Sequence, residues 1–102
     1  MFKIIARKGF YCPRICCTNC GEPIVDASNA VVIYPKDVDE GDVLFYVAHK
    51  GGCDRTLTEM GGDAGGTTEL TTALAWMLQN AGIKTPEDVD RAFTIADMTT
   101  SL

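Results

Sequence analysis

The amino-acid sequence predicts an α+β fold with a β-rich front and a helical back. Three observations predict it. Apolar, β-branched runs recur over residues 29–34 and 42–48. Apolar residues then repeat at helical spacing from Leu70 to Ala96. Between them, GGDAGG at 61–66 places four glycines in six residues. Hydrophobic residues make up 46% and charged residues 23% of the chain, which is ordinary globular composition and argues against disorder. At 102 residues the size matches one small domain. We divide it into a β-rich part at 1–60, a glycine-rich joint at 61–66 and a helical part at 67–102.

Each element has a local reason. Residues 1–7 (MFKIIAR) read as a strand around Ile4 and Ile5, and residues 8–21 read as a cysteine-rich loop. Residues 29–34 (NAVVIY) and 42–48 (DVLFYVA) read as two strands. The turn-rich PKDVDEG at 35–41 joins them into an antiparallel hairpin. Residues 56–60 suit one or two helical turns. The GGDAGG stretch lacks the preceding strand and following lysine of a phosphate loop, so it reads as a linker.

The last third reads as an αα-hairpin. Leu70, Leu74, Met77 and Ala81 fall on one helical face. Gly82 suits the left-handed C-cap, with Ile83 packing back. Thr85 is the expected N-cap of a second helix, with Pro86 at its first position and acids in its first turn. Val89, Ala92, Phe93 and Ala96 supply its apolar face. Trp76, Met77 and Leu78 in succession make the first helix apolar on more than one side. Trp76 therefore belongs either in the core or on an interaction surface, and the core is the commoner place for so large an aromatic. A partner or a second copy would meet the chain through these C-terminal helices.

The formal charge is −5, unevenly placed. Residues 1–53 are neutral, and residues 54–102 carry the whole excess. An acidic half repels phosphate backbones, so nucleic acid is not the expected partner. The first sixteen residues differ: Lys3, Arg7, Lys8 and Arg14 face no acid there. No apolar run approaches the ~18 residues of a membrane span, and no signal-peptide pattern precedes the cysteines. Five cysteines is an odd number, against a secreted disulfide framework. A reducing, cytoplasmic compartment is the expectation.

The sharpest feature is Cys17-Thr18-Asn19-Cys20-Gly21. Two cysteines separated by two residues bind one metal from a single tight turn, because the turn's backbone N–H groups point at the sulfurs. Gly21 lets the chain leave that turn. After the hairpin comes His49-Lys50-Gly51-Gly52-Cys53, where Gly51 and Gly52 allow both side chains to converge. A hairpin returns the chain to its starting end, so it brings Cys20 and His49 together. Three thiolates and one imidazole from Cys17, Cys20, His49 and Cys53 form a closed tetrahedral shell that suits Zn2+. Such a clip would supply cohesion that a chain this short lacks.

Other readings compete. His49 alone would be an ordinary surface or core histidine. Cys17 and Cys20 alone would be a redox pair, but no helix follows them as such a motif requires. Cys12 is an alternative ligand: in place of His49 it gives an all-thiolate site. Cys12-x4-Cys17-x2-Cys20, with Cys53, also reproduces the spacing of plant-type [2Fe–2S] ferredoxins, which makes an electron carrier the rival function. Pro13, Arg14 and Ile15 replace the small residues such a loop needs, and only eleven residues precede Cys12. A zinc-dependent nucleic-acid module is the other alternative, opposed by the acidity of the helical half.

The knuckle CTNCG, the hairpin and HKGGC together resemble treble-clef zinc domains over residues 17–60. That resemblance implies a zinc knuckle and hairpin followed by a helix, and a structural rather than catalytic metal. The sequence departs from the family in its second ligand pair, which the family spaces by two residues in a helix's first turn. Here His49 would end a strand and only Cys53 would sit at a helix start. The chain is also similar to small bacterial or phage zinc proteins with a knuckle and a His-Lys-Gly segment, a likeness that implies no activity. The function expected is a small zinc-binding protein-interaction module, not an enzyme.

Overall fold

The computed structural model describes residues 2–34, 40–41, 44–61 and 66–98. They form two antiparallel sheets and three helices. The first sheet is a two-stranded ribbon of β1 (Phe2–Arg7) and β2 (Phe10–Ile15), paired from Phe2↔Ile15 to Arg7↔Phe10. The expected cysteine-rich loop at 8–21 is therefore corrected, since its stretch Phe10–Ile15 is strand. Lys8 and Gly9 both take positive φ, at 52° and 84°. That is the two-residue turn whose twist matches a hairpin. Pro13 is tolerated because a two-stranded ribbon leaves each strand one open edge.

The second sheet has the order β4-β3-β5, with β3 (Ala30–Tyr34) between β4 (Tyr46–His49) and β5 (Gly66–Glu69). The hairpin expected from the sequence is present, with Ala30↔His49 and Ile33↔Tyr46 in register. Its second strand is shorter than expected: Leu44 and Phe45 precede it, and residues 42–43 lie outside the described ones. Most of the 35–41 connection and of the glycine-rich joint also lies outside them. The third strand was not expected. Residues 67–69 fall in the part expected to be helical, yet Thr67 and Thr68 pair with Ile33 and Val32. Threonine is β-branched, and β3 offers it an open edge to add to.

The period of two along β3 sorts its side chains into two cores. Ala30 and Val32 pack with Val47, Leu70 and Ala73 on one face. Val31 and Ile33 pack with Ala48 and Cys17 on the other, where Cys53 and Leu57 close over them. The sheet is thus covered on one side by α2 (Leu70–Asn80) and on the other by the cysteine turn and α1 (Cys53–Gly61). A strand buried on both faces carries a continuous apolar run, which explains AVVIY.

The helix ends follow the sequence. Gly82 is left-handed at φ 92°, and the N–H of Ile83 donates to the carbonyl of Leu78 at 2.9 Å. The N–H of Asp88 donates to Thr85 Oγ1, while Asp88 accepts from the N–H groups of Lys84 and Thr85, a reciprocal box that opens α3 (Pro86–Met98). The packing does not follow. Among α2 residues only Leu70 and Ala73 are buried, and α3 has no buried residue. Met77 and Ala81 are exposed on the face expected to be covered, and the apolar face of α3 is not half of a core. The expected αα-hairpin is corrected to two capped helices in succession. Trp76 is 51% exposed, which corrects the core expectation for it. At 100° per residue it lies about 120° around α2 from the buried Leu70, on the flank of the packed face.

Candidate metal centre

The first half of the site is built by a closed turn. Cys16 and Pro23 form an isolated bridge, and the N–H of Cys17 donates to the carbonyl of Glu22 at 2.8 Å. Within that loop the N–H of Gly21 donates to the carbonyl of Cys17 at 2.9 Å. Gly21 holds φ 79°, a conformation a side chain would resist. Thr18 ties the turn to the sheet. Its N–H donates to the Val47 carbonyl at 2.7 Å, and its hydroxyl accepts from the N–H of Val47 at 3.1 Å.

The second half follows from β4. His49 ends the strand opposite Ala30, and the N–H of Lys50 donates to the carbonyl of Asn29 at 2.9 Å. Gly51, at φ 95°, then reverses the chain so that Cys53 opens α1. Gly51 makes this turn; Gly52 supplies the carbonyl that accepts from Thr56 at the helix start.

These two halves meet. The ligating atoms of Cys17, Cys20, His49 and Cys53 all lie within 4.8 Å of one another. Cys20 Sγ is 3.5 Å from His49 Nδ1. Tetrahedral zinc bonds place neighbouring donors roughly 3.6 to 3.8 Å apart, so little movement separates this cluster from a coordination shell. Cys17 is buried, His49 and Cys53 are half-buried and Cys20 is exposed.

The thiols are electrically unequal. Burial alone would raise Cys17, but the backbone N–H groups of Cys20, His49 and Asn19, with the Cys53 side chain, more than offset it and hold Cys17 at about 6. Cys20 is shifted the other way. The N–H of Glu22 favours its thiolate, yet desolvation and the neighbouring Cys17 and Cys53 outweigh it and raise the thiol. The turn thus stores one thiolate at neutral pH, through the inward-pointing N–H groups that a C-x-x-C turn provides.

Cys12 is buried on β2 opposite Ile5 and lies outside this group of four. The structure therefore does not bring together the set that an all-thiolate site or a plant-type iron–sulfur cluster requires. Cys16 is buried beside the turn and also lies outside the group. Thr18 was missed by the sequence reading. Nothing in a C-x-x-C motif marks which inner residue anchors the turn to a strand 29 residues away. Comparison with protein families, curated proteins and solved structures returned no match. Among the described residues no helix is long and apolar enough to cross a membrane.

Proposed function

We propose that this chain is a small treble-clef-like zinc protein, with one structural Zn2+ held by Cys17, Cys20, His49 and Cys53, and that it works as a protein-interaction module in a reducing, cytoplasmic compartment. The observation that carries the reading is the convergence of three sulfurs and one imidazole from two segments 29 residues apart onto one point. Soft thiolates with one imidazole favour zinc over harder cations. The order of knuckle, hairpin and helix-opening cysteine is that of treble-clef domains. Four protein donors leave no open position for water or substrate, so the metal serves cohesion and not catalysis. The clip joins the cysteine turn and α1, which cover one face of the sheet, to β4 within it.

The deciding experiment is elemental analysis of protein purified without air, with thermal melts before and after chelation. One zinc per colourless chain, and loss of the fold on chelation, are expected. A metal-free protein whose melting ignores chelator overturns the reading, and a brown chain carrying two irons replaces it with an electron carrier.

A further inference from the structure

We propose that the apolar groove between the β1–β2 ribbon and α2 seats α3 of a second copy, making the protein a two-fold, helix-exchanged homodimer. The inference deepens the interaction-module reading by naming the partner, and it rests on that reading. Two open apolar surfaces in one chain carry it.

The first is the groove. Strand alternation puts Phe2, Ile4 and Ala6 on one face of the ribbon with Tyr11, Pro13 and Ile15, so that face is wholly apolar. It continues into a groove of about 710 Å³ whose walls include Phe2, Ile15, Leu74, Met77 and Leu78. Among the described residues its one charged lining residue is Arg14. Phe2 is 66% exposed and Met77 50%. An apolar surface this continuous marks a binding site more often than idle surface.

The second surface is α3. Val89, Ala92, Phe93 and Ala96 follow the i, i+3, i+4, i+7 spacing by which a helix enters a groove. None of the helix is buried, and Phe93 is 65% exposed. Asp90 and Asp97, a heptad apart, border that stripe, and Arg91 lies away from it. On the groove side Arg14 is a lining cation, while Lys3 and Arg7 lie on the other face of the ribbon. An apolar helix ridge therefore complements the apolar groove in shape, and Arg14 offers a cation to its acidic edge.

The same chain does not close this contact on itself. The hydrogen bond from Ile83 to Leu78 and the Thr85–Asp88 box hold both ends of the link between α2 and α3. They set the direction in which α3 leaves, and that direction leaves its stripe open. A second copy offers one groove and one helix, so reciprocal exchange about a two-fold axis satisfies both pairs at once.

The test is light scattering and sedimentation of the zinc-loaded full chain across micromolar concentrations, with zinc content measured on the same samples. The wild type is expected at twice its 11.0 kDa mass. Phe93→Glu on the helix and Met77→Glu on the groove wall should each weaken dimerisation at least tenfold while zinc content and helical signal stay unchanged. Both side chains are half exposed or more, so neither change opens the core. A wild-type monomer at every concentration overturns the proposal, as does a dimer indifferent to both substitutions or an open polymer. Zinc retained in a monomer sinks the dimer alone and leaves the metal reading standing.

Discussion

The sheet with its cysteine turn and the C-terminal helix α3 make opposite use of equally clear local patterns. The sheet buries both faces of β3, and four possible donor atoms from distant segments meet on its far side. α3 has a better defined start than any other helix of the chain, yet it has no buried residue. Local hydrogen bonding decides where an element begins and ends. Only matching surfaces decide whether it packs, and in the sheet those surfaces lie within one chain.

The contrast can be broken most severely at the metal ligands. Cys53→Ser is expected to abolish zinc retention and unfold the front of the chain, because structural zinc contributes on the order of 10 kcal/mol or more of apparent binding free energy. Zinc analysis with far-ultraviolet circular dichroism reads both losses. A Cys53→Ser protein with full zinc and an unchanged melt would contradict the clip.

Leu70→Ala acts on the other face of the sheet. Leu70 is 2% exposed and packs with Val32 and Val47. The cavity should cost about 2–5 kcal/mol, seen as a lowered urea midpoint of the zinc-loaded protein.

The smallest effect belongs to α3. Thr85→Ala removes the cap and should fray the first turn at a cost of about 1 kcal/mol. Amide exchange at the start of α3 should quicken while β3 stays protected. Equal quickening in β3 would mean that α3 shares the sheet's cooperative unit after all.

Much of the site was legible before the fold. Cys17, Cys20, His49 and Cys53 were readable because their chemistry and glycine spacing are local, and the β3–β4 hairpin joins the halves. The caps at Gly82 and Thr85 were equally plain. Three features were not. The strand at Phe10–Ile15 was masked by Cys12 and Pro13, although Lys8-Gly9 makes a tight turn. β5 was hidden in a threonine-rich lead-in, since a four-residue edge strand exists only where another strand receives it. Trp76 was expected inside on size alone, but the rotation of α2 is set by Leu70 and Ala73 against the sheet.

By itself, the order of residues determined the Cys17–Cys20 turn, the caps between α2 and α3 and the central strand, because each depends on groups a few positions apart. Tertiary structure alone decided which cysteines meet the histidine, which edge gains a third strand and which apolar faces stay open. Those outcomes turn on the meeting of surfaces far apart along the chain, and no local periodicity carries that information.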